Sequence, residues 1–313
     1  MDAGRKQLRV SVVVPLFNEA DCLSEFFDRT CRALETCKDY EIIFVDDGST
    51  DQSWTILEAI HKNSKKGKVK LVRLTRNFGH QLAVVAGLKL ARFEIVSIID
   101  ADLQDPPELI TEMAKLISSK VDIVYGQRIE REGETFLKRF TANLFYKVFN
   151  YLSDLRIPLD TGDFRVVSKR VIEQVLQSSE PKQFLRGAFA YTGYNSEAFE
   201  YVRHRRFGGT TKYSYRKMFI LASNAMFSFS DLPFRLFVKL SMWLMFSAVT
   251  LSIWIIINSL FKGFPQGWLS VFSLVLFLGS INFCFLAFLG KYILQILEIS
   301  KSRPAVYIDR ITK

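Results

Sequence analysis

Cysteine and histidine are scarce, with four Cys and three His in 313 residues. Cys22, Cys31, Cys37 and Cys284 form no CxxC pair and no histidine cluster accompanies them, which argues against a zinc site and against a disulfide framework. They fit a reducing compartment, where buried Cys is a small apolar filler. No GxGxxG follows any predicted strand, so a nicotinamide enzyme is disfavoured. MDAGRKQLRV at the N-terminus lacks an apolar stretch, and no signal peptide is expected in it. An acidic surplus is missing too, because the formal net charge is +10. A basic balance suits nucleic acid, an anionic membrane surface or phosphorylated substrates, or is simply a solvated basic surface. Aromatics are plentiful at 14%, with 28 Phe. The Phe residues gather after Phe136 and again after Phe227, which suggests a chain of two characters.

Short apolar runs occur at 10–14, 41–45, Lys70–Leu74 and Ile95–Ile99, with a weaker one at Val121–Val124. Each is followed by polar or Gly-rich residues, the pattern of strands buried on both faces. Helical patterns lie between them at Ala20–Leu34, Asp51–Asn63, Gly79–Ala91 and Pro106–Ser118. The alternation predicts an open, doubly wound α/β sheet, which binds ligands beyond the carboxyl ends of its strands. Chemistry is therefore expected in the loops after Val14, Val45, Leu74, Ile99 and Val124.

Residues 134–152 place Phe136, Leu137, Phe140, Leu144, Phe145, Val148 and Phe149 on one helical face and Lys138, Arg139, Asn143 and Lys147 on the other. This is the pattern of a basic amphipathic helix in a membrane interface, or of an ordinary core helix. Tyr213–Phe229 is a second such candidate. From Leu240 to Phe261 there are 22 residues without a charge, and from Gly263 to Gly290 there are 28. Either run exceeds the roughly 20 residues that span a bilayer as a helix. Arg235 and Lys239 flank the first run, and Lys291, Lys301 and Arg303 follow the second. The positive-inside bias therefore predicts both flanks, and the catalytic domain, on the cytoplasmic side of the plasma membrane. The tail AVYIDRITK is expected to form a short strand or arm that contacts another subunit, so a homo-oligomer is expected.

Three motifs carry the chemistry. Pro15-Leu16-Phe17-Asn18-Glu19 follows the first strand and Asp46-Asp47-Gly48-Ser49 the second; carboxylates there can accept hydrogen bonds from a ribose or a base. DDGS alone also suits a helix N-cap. Asp100-Ala101-Asp102-Leu103-Gln104 leaves the strand at Ile95–Ile99. Two carboxylates at i and i+2 suit Mg²⁺ or Mn²⁺, which keeps several waters and takes substrate phosphate oxygens. The bland alternative is a capped loop before the helix that Pro106 and Pro107 open.

VSVVVPLFNE, FVDDGSTD, RLTRNFGHQLAVVAGL and IIDADLQDP together resemble the family 2 glycosyltransferases of GT-A fold. The closer resemblance is to the polyprenyl-phosphate glycosyltransferases, which include dolichol-phosphate mannose synthase and the bactoprenol glucosyltransferases of GtrB type. It covers roughly residues 9 to 215, and the two-span C-terminus matches the bacterial branch. The resemblance implies that Pro15, Phe17 (chiefly through backbone), Glu19, Val45 and Asp47 hold the nucleotide. Asp100, Ala101 and Asp102 would line the diphosphate, with Asp102, Gln104 and Asp100 on the metal. Arg128 would contact the sugar nucleotide or the acceptor phosphate. Arg206 and Lys212 would lie on a basic loop that clamps phosphates; Arg203 to Lys217 holds six Lys/Arg and no acid.

Asp163, in Asp160-Thr161-Gly162-Asp163-Phe164-Arg165, stands where the glucosyltransferases place a base or positioning residue; the mannose synthases tend to have Ser. A phosphate monoester has a second pKa near about 6 and needs no base to become a nucleophile. Asp163 is therefore expected to orient the sugar or stabilise charge at its anomeric carbon, with Arg165 as an ion-pair partner. Two features are set aside. Gln183-Phe184-Leu185-Arg186-Gly187 resembles the QxxRW motif of processive synthases, but Gly187 replaces the Trp. His80, at a helix start, is read as structural.

The resulting organisation is a GT-A domain over 1–212, a juxtamembrane helix over 213–233, two transmembrane helices over 234–291 and a cytoplasmic tail over 292–313. The expected reaction is an inverting transfer of one hexose, best read as glucose from UDP-glucose, to polyprenyl (undecaprenyl) phosphate, dependent on Mg²⁺ or Mn²⁺, with no nucleic acid involved. Mannose and amino-arabinose are the alternative donor sugars. A flippase or transporter subunit is the rival from another class, disfavoured because Leu240–Phe261 holds no charged residue.

Overall fold

In the computed structural model β1 (Arg9–Leu16) is parallel to β2 (Asp39–Asp46) on one side and to β4 (Ile95–Ile98) on the other, and β2 is parallel to β3 (Val69–Leu74). The structure describes residues 8–65, 67–131, 161–177, 185–203, 267–300 and 304–312, with scattered positions between 239 and 261. Seven of the eight β1 residues are buried, as the apolar run predicts. The run serves two cores, because successive side chains of a strand point to opposite faces. Val10, Val12 and Val14 pack with α1 (Ala20–Leu34), α2 (Ser53–Asn63) and α4 (Leu109–Leu116). Val13 packs with Ile43, Val45 and α3 (His80–Leu88) on the other face.

Helix formation follows the same logic. On α1 the buried residues Cys22, Leu23, Phe26, Thr30 and Leu34 recur at helical spacing. Phe26 meets Phe44 of β2 edge-on at 6.3 Å between ring centroids. The buried Thr30 hydroxyl donates to the carbonyl of Phe26 at 2.7 Å, so no polar group is stranded there.

The sheet has eight strands in the order β7-β5-β6-β4-β1-β2-β3-β8. The expected parallel sheet is its central part only. β6 (Thr161–Ser168) enters antiparallel between β4 and β5 (Ile123–Arg131). β7 (Ser196–Arg203) runs parallel to β5. β6 starts at the end where β4 finishes, since Ile98 pairs with Arg165. Asp163 is thereby delivered beside the loop that leaves β4. Two short helices, α5 (Lys169–Gln177) and α6 (Leu185–Tyr191), follow β6 and cover the α3 face.

The chain divides into two compact units, Met1–Ala222 with Pro304–Lys313, and Ser223–Arg303. The second holds α7 (Trp268–Ser300), whose 33 residues continue past the expected end of the span at 291. At 1.5 Å per residue it is about 50 Å long. Its stretch Phe277–Leu294 has a mean hydropathy of 1.6 and is not buried within the chain. Among the described residues this is one helix long and apolar enough to cross a membrane. The first expected span, 240–261, is described only at scattered positions, and those are helical. The expected helices at 134–152 and 213–233 lie outside the described residues. The tail does form a strand, β8 (Ile308–Thr312), but it pairs antiparallel with β3 of its own chain. The open edge of β3 supplies unmade backbone hydrogen bonds, which is the physical reason for that pairing.

Candidate active site

Three loops leave the carboxyl ends of β1, β2 and β4. In the first, Asn18 has φ of 54°; its backbone N–H donates to Ser49 Oγ at 2.9 Å and its side chain accepts from Thr50 N–H at 2.8 Å. The Glu19 N–H donates to Ser53 Oγ at 3.0 Å. The β1 and β2 loops are thus tied to each other. In the second, Asp47 is buried and both its carboxylate oxygens accept backbone N–H groups, from Phe78 at 2.7 Å and Gly79 at 2.9 Å. Burial raises the Asp47 pKa, and those two hydrogen bonds oppose the rise.

The third loop carries the acidic pair. Asp102 is buried, and its Oδ1 accepts the Gln104 N–H at 3.1 Å. Leu103, between them, has φ of 59°, a left-handed backbone that costs a branched residue about 1–3 kcal/mol. Its side chain is only 3% exposed, and that burial offsets the strain. Asp100 Oδ1 is buried with no hydrogen-bond partner, its nearest cation being His80 Nε2 at 3.6 Å. Burial, reinforced by Asp102 and Asp163, pushes the Asp100 carboxyl up to about 6 against the pull of His80.

Asp163 sits opposite this loop at the start of β6. Arg186, on α6, engages it at two points, Nε to Oδ1 at 2.8 Å and Nη2 to Oδ2 at 3.2 Å. His80 Nε2 lies 3.2 Å from Oδ2, and Gln81 Nε2 donates to the same oxygen at 3.4 Å. Gln81 also accepts the Leu185 N–H at 3.0 Å, which joins α3 to α6. Burial alone would raise the Asp163 pKa, but Arg186 and His80 hold it well below the usual carboxylate range. Burial alone would lower the His80 pKa, yet Asp100 and Asp163 raise it to about 9. His80 Nε2 thus lies between two carboxylates, an arrangement that favours its charged form.

A second buried cluster adjoins the first. Asp105, 1% exposed, accepts the Tyr201 hydroxyl and faces Arg128 Nη2 at 3.5 Å and Arg203 Nε at 3.4 Å. Tyr201 is pushed up by burial and by Asp105, so it stays a protonated donor. Arg128 lies across Gly162, where a Cβ would stand 2.2 Å from its Nη2. Only glycine lets that guanidinium approach Asp163's strand so closely.

Of the expected site residues, Glu19, Asp47, Asp100, Asp102, Gln104, Arg128 and Asp163 all lie at the carboxyl end of the sheet or in the loops leaving it. Pro15 and Ala101 are buried, and Phe17 is half-buried. The Val45 side chain belongs to the α3-side core, so only its backbone is available to a ligand. Arg206 and Lys212 lie outside the described residues. Arg165 is not the main partner of Asp163: its Nη2 is 3.9 Å from Oδ1, and it donates instead to the carbonyls of Gly162 and Asp163. Arg186 holds that place, within the motif set aside for lacking its Trp. His80, read as structural, touches both acidic loops. Tyr201 carried no assignment, Asp105 none beyond its place in DLQDP, and Arg203 none beyond its place at the start of the basic stretch that ends at Lys217.

The acidic loop fits a divalent cation in one specific way. Among the described residues no group of three His, Cys, Asp or Glu forms a metal cage. A hard cation that keeps waters and takes substrate phosphates needs only one or two carboxylates, and Asp100 Oδ1, which accepts no hydrogen bond and lies 3.6 Å from His80, supplies that kind of donor beside Asp102.

Residues 11–176 match the glycosyl transferase family 2 domain. An uncharacterized glycosyltransferase of Synechocystis is 37% identical over 304 residues, covering 96% of this chain and 95% of its own. A prophage bactoprenol glucosyl transferase homolog of Escherichia coli is 34% identical over 309 residues, covering 98% of this chain and all (100%) of its own. The bactoprenol glucosyl transferase of Shigella phage SfV is 34% identical over 304 residues, covering 96% of this chain and 98% of its own.

Proposed function

The chain belongs to glycosyl transferase family 2, and we propose that it moves one hexose, glucose from UDP-glucose, onto a polyprenyl phosphate at the cytoplasmic face of a membrane. The observation that carries this reading is the acidic loop Asp100–Asp102 facing Asp163 across the ends of β4 and β6, with His80 between them and Asp100 Oδ1 accepting no hydrogen bond. The similarity to bactoprenol glucosyl transferases over nearly the whole chain supports the acceptor and the sugar. The apolar, unburied stretch of α7 supports a lipid surface, because so long an exposed apolar face is explained by a bilayer.

In this reading an oxygen of the lipid phosphate attacks the anomeric carbon, and the bond to the UDP oxygen breaks, so UDP leaves with the electron pair and the anomeric configuration inverts. The acceptor is already largely dianionic at neutral pH and gives up no proton that needs a base. Asp163, with both oxygens engaged by Arg186 and His80, is a poor proton acceptor and a well-fixed negative group. It orients the sugar and stabilises positive charge that grows at the anomeric carbon. Arg128 and Arg203 share the single carboxylate of Asp105, so the cluster keeps a net positive charge for a phosphate. Asp100 and Asp102, with Gln104, would hold Mg²⁺ or Mn²⁺, which when bound neutralises charge on the departing diphosphate.

Incubating the purified full-length protein with undecaprenyl phosphate and a panel of labelled nucleotide sugars, with Mg²⁺ or Mn²⁺, tests the reading. Labelled lipid should form from UDP-glucose. Label transfer from GDP-mannose alone would reassign the donor, and no lipid-linked label from any donor would reject the function.

A further inference from the structure

β8 pairs Thr312 with Leu71, Ile311 with Val72 and Arg310 with Arg73, and then Ile308 with Leu74. The register steps by one residue there, so Asp309 is the extra residue of a bulge. Bulges leave a residue off the ladder, re-aim its side chain and gather beside active sites. Asp309 lines a pocket of about 350 Å³ together with Gly48, Ser49, Arg73, Leu74 and Thr75. Gly48 and Ser49 belong to the turn after β2, next to Asp47, which the family resemblance places on the nucleotide.

The same segment grips a loop of the site. The Thr75 N–H donates to the Tyr307 carbonyl at 3.0 Å, and the rings of Phe78 and Tyr307 lie 6.3 Å apart. On its other side this loop, Thr75–Gly79, holds both oxygens of Asp47. It also presses on Gly48, whose φ is 72° and where a Cβ would stand 2.6 Å from the Arg76 carbonyl carbon. The loop is thus clamped between the β2 turn and Tyr307, and it leads directly into His80.

We propose that the C-terminal strand is a wall of the donor site. Asp309 accepts hydrogen bonds from the ribose hydroxyls or base N–H groups of the nucleoside, and Tyr307 is a positioning residue for the Thr75–Gly79 loop. This rests on the nucleotide-sugar reading above and names a nucleoside contact from a part of the chain that follows the apolar helix.

The test uses full-length protein, UDP with Mn²⁺ in calorimetry, and steady-state KM values for donor and acceptor. Asp309→Ala and Tyr307→Ala should each weaken UDP binding and raise donor KM about five- to tenfold, the scale of one lost hydrogen bond for the first and of a lost aromatic contact for the second. Acceptor KM should stay within about twofold, and Tyr307→Phe should restore donor KM, since the ring contact does not need the hydroxyl. Arg310→Ala is the control on the same strand, because its side chain faces Glu58 at 3.4 Å and is not among the residues that line this pocket. Unchanged UDP affinity in both alanine variants, or equal weakening of donor and acceptor, overturns the proposal. Wild-type protein that binds no UDP overturns the donor-site reading as well, whereas wild-type binding with unaffected variants overturns the role of the tail alone.

Discussion

Arg186 and Asp163, separated by 23 residues and brought together by α6 and β6, form a two-point ion pair with contacts of 2.8 and 3.2 Å. That pair decides what Asp163 can do. A carboxylate whose two oxygens are both engaged by cations has little affinity for a proton, and its pKa is held well below the usual range. It keeps its negative charge and its orientation, which suits positioning better than proton transfer.

Asp102→Asn should abolish turnover, while Asp163→Asn should leave measurable turnover with a lowered kcat. A chelator should stop the reaction, and added Mg²⁺ or Mn²⁺ should restore it. Labelled-lipid formation under saturating substrates measures all three. Equal, complete loss in the two variants would make Asp163 chemically essential and defeat the positioning argument.

Arg186→Ala removes the partner of a largely buried carboxylate. Breaking such a pair from one side costs about 3–5 kcal/mol when it is fully desolvated, and less here because the Arg186 side chain is 24% exposed. We expect a clear drop in melting temperature and a fall in kcat of about 10- to 100-fold, the range typical of a lost orienting or charge-stabilising group. Arg186→Lys, which keeps the charge but not the fork, should recover stability more than kcat. Parallel loss and recovery of both quantities would mean that Arg186 is only a structural tie.

Much of this was readable from the chain. The apolar runs of β1 to β4 and the helices between them are set by local burial patterns; α1 spans Ala20–Leu34 as its periodicity predicts. DDGS and DAD could be placed because each follows such a strand. The antiparallel strand β6 was not legible, since its position between β4 and β5 depends on long-range pairing. That pairing is what carries Asp163 to the acidic loop and brings Arg186 after it. His80 looked structural because a helix start explains it locally. Only the three-dimensional arrangement sets its Nε2 3.2 Å from Asp163.

Asp122 gives a pH dependence that should not touch the chemistry. Arg170 holds it at 2.5 and 2.7 Å and Ser168 Oγ donates to it at 3.0 Å. The Arg170 hydrogen bonds lower its pKa, burial opposes them, and Ser168 adds to the lowering. A folded pKa below the unfolded value of about 3.9 contributes stability that is fully present above that value and is lost as pH falls through the folded pKa. The melting-temperature gap between wild type and Asp122→Asn should therefore be largest near about pH 6 and shrink toward about pH 3. A gap independent of pH would show that the ion pair is not its source.

Glu41 provides a purely structural counterpart at the opposite end of the sheet. Its side chain is fully buried at 0% exposure, and Oε1 accepts the Ser11 hydroxyl at 2.6 Å and the Arg92 N–H at 2.8 Å. Lys70 Nζ lies 2.7 Å from Oε2 and Arg92 Nε 3.3 Å from it. Together these contacts tie β1, β2 and β3 to the turn that enters β4. Glu41→Ala removes the acceptor of the Ser11 hydroxyl proton and of the Arg92 amide and leaves Lys70, 19% exposed, without its counter-charge. The expected loss is about 3–5 kcal/mol, or a fall of roughly 6–20 °C in melting temperature for a domain of this size. Glu41→Gln keeps an acceptor for the Ser11 hydroxyl and the Arg92 N–H but sets an amide NH2 against Lys70 and the Arg92 guanidinium in place of Oε2, so its loss should be smaller than that of alanine but not nil. In both variants UDP affinity, measured below the melting transition, should match wild type, because the cluster sits at the amino ends of the strands. A weakened UDP affinity in folded Glu41→Gln would show that strain at that end reaches the acidic loop.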